Sequence, residues 1–222
     1  MTRYGVLPDK ATNAGTAMDS GRLEAFSDGV FAVAITLLAL NLAVPGPGHG
    51  PLARQRADHW PSFAAYGVSF LTIGIIWVNH HTLFKNFSEI DRTLLFLNLL
   101  LLLFVVAIPF ATATIAASLS HGGADAVLAA VVLQSVFEGM SLSFGLLFWW
   151  SIRHEHLKIT LTPARARAAV IRFGAGNIAY FVAIAVAFLS APASLLVSGL
   201  VAAYYIFEQT PARDPATTDQ RL

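Results

Sequence analysis

Nine polar side chains stand inside otherwise apolar stretches of this sequence: Asp28, Asn41, Asn79, His80, His81, Asn98, Gln134, Glu138 and Asn177. Asp28, His80, His81 and Glu138 can ionise. Three kinds of chemistry fit these types: ion ligation by a carboxylate, proton transfer between carboxylate and imidazole, and hydrogen bonds that tie helices together. His80 and His81 are neighbours, so on a helix they diverge by about 100° and make a poor pair of ligands for one metal ion. The chain has no cysteine, which removes Cys-ligated zinc, thiol catalysis and disulfides. It contains no HExxH, no GxSxG and no phosphate-binding glycine loop. A TVGYG run is also absent, so there is no carbonyl-lined potassium filter of that kind. The sequence therefore assigns no catalytic residue, no metal and no cofactor.

The elements that must position these groups follow from composition. The chain has 222 residues, 56% of them apolar and 12% charged, with a net charge of +1. That charged share is about half the usual value for a soluble domain, and a soluble chain of this length needs more polar surface to cover its core. The near-zero net charge leaves no basic footprint for nucleic acid. The composition points to an all-α polytopic membrane protein. Six apolar runs support it: Phe26 to Val44, Pro61 to Val78, Leu94 to Ser118, Ala126 to Ile152, Ala168 to Leu189 and Ala193 to Phe207. A helix needs about 20 residues to cross a bilayer core of about 30 Å. Five runs reach or approach that length, and the sixth is near the lower limit. Ser190-Ala191-Pro192 leaves room only for a tight turn between the last two. The first run lacks the strongly basic flank and small-residue cleavage site of a signal peptide.

Basic residues orient the spans. With the N-terminus inside, Arg3, Lys10, Arg22, Lys85, Arg92, Arg153, Lys158, Arg165, Arg167, Arg172, Arg213 and Arg221 are cytoplasmic, and only Arg54 and Arg56 are external. This asymmetry agrees with an even number of spans and two cytoplasmic termini. The outer loop Pro45 to Pro51 is rich in turn residues and is expected to carry no element of its own. Residues 1–20 and 209–222 read as mobile tails around one six-helix domain, 21–208.

The first span has two unlike faces, after a plausible N-cap at Ser20. Phe26, Val30, Val33, Leu37, Leu40 and Val44 share a stripe roughly 80° wide, and Asp28 points about 140–180° away from it. Pattern alone leaves the stripe to lipid or core. Asp28, His80, Asn98 and Arg22 fall near one cytoplasmic membrane edge, where they can satisfy one another. A clamp joining three helices is the simpler reading, and an Asp28–His80 proton relay is the other. Pro109 would kink the third span unless neighbouring helices compensate. On the fourth, Ser135, Gly139 and Ser143 form a small-residue face suited to close helix packing. Gln134 and Glu138, four residues apart, read either as a buried hydrogen-bonded pair or as a site in a cavity. A proton-coupled transporter using Asp28, His80 and Glu138 is the alternative function.

Three separated motifs carry a resemblance: Arg22-x3-Phe26-Ser27-Asp28-Gly29-Val30-Phe31-Ala32, then Trp77-x2-His80-His81, then Asn98 followed by Ile108-Pro109-Phe110. In this order and spacing they resemble the bacterial relatives of the lysosomal potassium channel called transmembrane protein 175. The resemblance runs from about Arg22 to Phe110. The second half agrees in span count and hydropathy but carries no matching motif. The resemblance implies a potassium channel in the cell membrane, with six helices per chain, assembled as a homotetramer whose first helix lines a central pore. Its apolar constriction maps onto Val33, Leu37 and Leu40. A threonine tied to potassium preference maps onto Thr36. Arg22, Phe26, Ser27, Asp28, Trp77, His80 and Asn98 belong to the motif that packs the pore helix on its own subunit. Val33 is smaller than the isoleucine often found at that place. The implied partners are potassium as the permeant ion, lipid and three further copies of the chain, with no cofactor.

Overall fold

Long runs of Leu, Ala, Phe and Val with few glycines in their interiors form helices, because in an apolar solvent every backbone N–H and C=O must be satisfied within the segment. A computed structural model describes residues 20–42, 48, 50–158 and 162–207. Seven α-helices run along the described chain. They are α1 (Ser20–Ala39), which tightens into a 3₁₀ turn at Leu40–Leu42, the short α2 (Leu52–Asp58), α3 (Trp60–Lys85), α4 (Arg92–Leu119), α5 (Gly123–Arg153), α6 (Pro163–Ala187) and α7 (Ala191–Phe207). Each expected apolar run falls on one of the six longer helices. The helices overrun their apolar runs by a few residues at most ends, since a helix continues into the polar edge until a cap stops it. Helix α3 continues through His80 and His81 to Lys85. α1 departs from this: it begins at Ser20 and ends its α-helical part before Asn41, and Val44 lies outside the described residues. The terminal stretches 1–19 and 208–222 and most of the loop expected to be external, 43–47 and 49, also lie outside them.

Three helices, α3, α4 and α5, are long and apolar enough to cross a membrane. The apolar stretches Gly174–Ala187 and Ala191–Ile206 are shorter. Helix α2, directly after the Pro45 to Pro51 segment, was not foreseen. It is polar on most sides, and its Gln55 folds back so that Nε2 donates to the Gly50 carbonyl at 2.8 Å.

α4 is the central element, packed against α1, α3 and most extensively α5. Its buried positions Leu94, Asn98, Leu101, Val105, Ile108, Thr112 and Ile115 recur at alternate spacings of four and three, which keeps one face toward its neighbours. Pro109 is buried inside this helix, which continues on both sides without a break in its α-helical assignment. Between apolar side chains and lipid tails there is little hydrophobic driving force, so close packing and interhelical hydrogen bonds hold such helices together. Two polar ties join α3 to α4: Ser69 to Thr112 at 2.7 Å and His80 to Asn98 at 2.8 Å. A third joins α5 to α7, where Gln134 Nε2 donates to the Ser194 carbonyl at 3.2 Å and Ser198 Oγ donates to Gln134 Oε1 at 2.6 Å. The small-residue face on α5 is used at Gly139, where a Cβ atom would collide with the Phe104 ring of α4. Ser143 is buried beside it, but Ser135 is exposed.

At one end of the bundle, the α3–α4 and α5–α6 connections meet. Phe87 and Leu157 form an isolated antiparallel bridge, with Ser88 N–H on the His156 carbonyl at 2.8 Å and Lys158 N–H on the Asn86 carbonyl at 2.7 Å.

Candidate functional site: the first helix and its clamp

Helix α1 shows different residues on its two sides. Leu23, Ser27, Phe31, Ala34 and Leu38 are buried, a helical series of fours and threes facing α3 and α4. On the other side Phe26, Val33, Leu37 and Leu40 are exposed, the last three at 55%, 41% and 72%. Val30 departs from the expected stripe: it is half-buried and packs against the core. Thr36 lies on the exposed face, and its Oγ1 donates to the Val33 carbonyl at 2.9 Å. That bond occupies the hydroxyl proton and leaves the oxygen's lone pairs free to face outward.

The buried side is held by a directed chain of hydrogen bonds. His80 Nε2 donates to Asn98 Oδ1 at 2.8 Å, Asn98 Nδ2 donates to Ser27 Oγ at 3.0 Å, and Ser27 Oγ donates to the Leu23 carbonyl at 2.9 Å. All three side chains have no exposed surface. The His80 ring is stacked on Phe84, with centroids 3.9 Å apart, and tilted against Phe31 at 5.3 Å. Asn98 thus joins α1, α3 and α4 at one point, with both ends of its amide satisfied.

The expected clamp forms, with different membership. Asp28 does not enter it. Its Oδ1 instead accepts from the Trp77 indole N–H of α3 at 2.9 Å. Arg22 is exposed at the start of α1. Ser27 takes the place that charge reasoning gave to Asp28, because the short hydroxyl reaches into the dry interior without the cost of burying a carboxylate. His81, turned away from His80 as the helix geometry requires, stacks on Trp77 with centroids 5.6 Å apart. Its Nδ1 lies 2.8 Å from Glu24 Oε1.

Gln134 and Glu138 do not form the expected pair. Gln134 turns to the serines of α7, while Glu138 Oε2 has no hydrogen-bond partner among the described residues. Asn177 Oδ1 is likewise unpartnered, Asn79 Nδ2 donates to the Ile75 carbonyl, and the Asn41 side chain is outside the described set. Among the described residues Asp28 is bonded to Trp77 and His80 to Asn98, and no direct hydrogen bond links either to Glu138.

Sequence reasoning missed Asp91. Its carboxylate caps α4 by accepting from the Leu94 N–H at 2.7 Å and takes the Trp150 indole N–H of α5 at 3.0 Å. His156 lies 3.4 Å away. Burial pushes this carboxyl up, but the Leu94 amide, the Trp150 indole and His156 together outweigh it and hold the group below its ordinary value. An Asp directly before an apolar helix was the available signal.

Residues 22–109 match the family described as endosomal/lysosomal potassium channel TMEM175. Over 195 residues the chain is 49% identical to potassium channel B446_29190 of Streptomyces collinus, covering 87% of this chain and 94% of that one. It belongs to the TMEM175 family. The TMEM175 family is one of ion channels, not of enzymes. The crystal structure of a lysosomal potassium-selective channel TMEM175 homolog from Chamaesiphon minutus superposes with a TM-score of 0.74 at 35% identity, over 85% of this chain and 96% of that one. The endosomal/lysosomal proton channel TMEM175 of Gallus gallus is 34% identical over 153 residues, 64% of this chain but 30% of that longer protein. The family match ends at Pro109, close to where the sequence motifs end, and it contains the whole clamp.

Proposed function

We propose that the chain is a potassium channel whose α1 helices line a pore at the centre of a homotetramer. The observation that carries this reading is the two-sided first helix. One face is tied to α3 and α4 through Ser27, Asn98 and His80, while Val33, Leu37 and Leu40 stand free on the other. The 49% identity to a protein named potassium channel supports the same reading.

Four copies of α1 around an axis turn each free residue into a ring. Rings of Val33, Leu37 and Leu40 exclude water when narrow, so ions pass only when the assembly widens and wets them. Thr36 brings an oxygen ring between them. Its proton is engaged by the Val33 carbonyl, so the lone pairs can replace part of a potassium ion's hydration shell. The buried clamp carries no charge that an ion would meet; its work is to fix the rotation of α1 so that the apolar face points inward. The six long helices span the cell membrane as one unit, 21–208, with both termini cytoplasmic, and potassium is cargo rather than cofactor.

Potassium flux into liposomes containing the purified full chain, with and without a pH gradient, tests the function. Flux should follow the potassium gradient and persist at equal pH on both sides. Flux that appears only with a proton gradient would overturn passive potassium conduction.

A further inference from the structure

The clamp uses His80 and leaves out His81, which stacks on Trp77. There His81 meets two carboxylates of α1, Glu24 and Asp28, one turn apart on the same face. One donor atom from each of the three side chains lies within 4.8 Å of the others. Donor atoms around a zinc ion at ordinary bond lengths sit about 3.3 Å apart, so small rotamer changes of three half-exposed side chains close the set. His81 Nδ1 is 2.8 Å from Glu24 Oε1 yet lacks the alignment of a hydrogen bond, and the nitrogen has no hydrogen-bond partner. Trp77 supports two of the three. Its indole N–H holds Asp28 Oδ1 at 2.9 Å, leaving Oδ2 available, and its ring stacks on His81. Outer groups that orient ligands in this way are a regular part of metal centres.

We propose that Glu24, Asp28 and His81 form a binding site for a divalent transition-metal ion of the zinc or cobalt type, bridging α1 and α3. One imidazole with two carboxylates favours such an ion over calcium or magnesium, which prefer all-oxygen shells. Three protein ligands leave a coordination position for water. Side-chain exposures of 31% for His81 and 22% for Glu24 give an ion access. The site faces α3 rather than the proposed pore, and it does not depend on the channel reading.

Zinc is the probe. The full chain, purified in detergent and stripped with chelator, is titrated with zinc by calorimetry, and its thermal unfolding is followed with and without the ion. The expected result is saturable binding of one zinc per chain and a rise of several degrees in the unfolding midpoint. Glu24→Gln and His81→Gln should each weaken binding by about tenfold or more and abolish the rise. His121→Gln, at the distant α4–α5 turn, should bind as the wild type does. Absence of saturable binding, or wild-type affinity in either Glu24→Gln or His81→Gln, overturns the site. Two separate variants on different helices keep the test open if one fails to fold. No flux is measured, so failure here leaves the channel reading standing.

Discussion

Asn98 ties the first helix to two others. It has no exposed surface and satisfies His80 with one end of its amide and Ser27 with the other. Asn98→Ala strands the His80 N–H between Phe31 and Phe84, and a buried donor left without a partner costs about 1–3 kcal/mol. Asp28 is only half-buried and has a single partner in Trp77, so water can replace much of what Asp28→Ala removes. Recovery of the proposed tetramer in detergent should therefore fall more for Asn98→Ala than for Asp28→Ala, while flux per assembled channel changes less than recovery in both. Equal recovery of the two variants would contradict the placement of Asn98 at the junction. Asp91 gives a pH dependence with a definite sign. Its folded-state pKa is lowered, so its contribution to stability is fully present above the unfolded value of about 3.9 and is lost as pH falls through the lower folded value. Wild-type stability, followed by unfolding midpoint, should drop below about pH 4 by an extra amount that Asp91→Asn does not show. Asp91→Ala should cost about 1–2 kcal/mol at neutral pH through loss of the cap.

At the scale of the element, α1 offers a direct comparison between its exposed face and the rest of the molecule. Leu37→Ala widens the proposed ring, lowers its resistance to wetting and should raise sodium conductance relative to potassium. Leu38, the adjacent residue, is a poor control for simple destabilisation. It is fully buried, and deleting a buried leucine leaves a cavity that costs about 2–5 kcal/mol. Leu103 on α4 is a better match: it deletes the same atoms and is 60% exposed on a helix outside the proposed pore. Ion selectivity measured in bilayers should shift for Leu37→Ala and stay at the wild-type value for Leu103→Ala. No shift in an assembled Leu37→Ala channel would remove this face from the pore. Helix α5 depends instead on a small residue. Gly139→Ala must displace the Phe104 ring, and overpacking of this kind costs about 1–3 kcal/mol, to be read as a lowered unfolding midpoint.

Across the whole molecule, two bundles share the α4–α5 and α3–α7 contacts. The first, α1 with α3 and α4, holds the family motifs and the clamp. The second, α5 with α6 and α7, is tied by Gln134 to Ser194 and Ser198. The bridge between Phe87 and Leu157 and the hydrogen bonds around it join the two bundles at one end. Orientation is a property at this scale, since charge along the entire chain sets it. A reporter fused after Leu222 should read cytoplasmic, and one inserted near Gly48 external. The reverse pair of readings would invert the clamp, the zinc site and the Asp91 cap relative to the membrane.

Helix placement was legible in the sequence because it is local. Apolar runs of sufficient length become helices wherever backbone groups lack water, and six runs sit on six long helices. The two faces of α1 were legible for the same reason, since 3.6 residues per turn fix side-chain directions about the helix's own axis. The motifs around Asp28, His80 and Asn98 pointed to one junction of three helices. Which partner each polar group takes was not local. Asp28 reaches Trp77, 49 residues away, rather than His80, and Gln134 reaches Ser198, 64 residues away, rather than Glu138. Asp91 gathers Trp150 from 59 residues along the chain. Periodicity orients a side chain about its own helix, but only the packing of one helix against another decides what stands opposite it, and in a low-dielectric interior that choice separates a satisfied group from a stranded one.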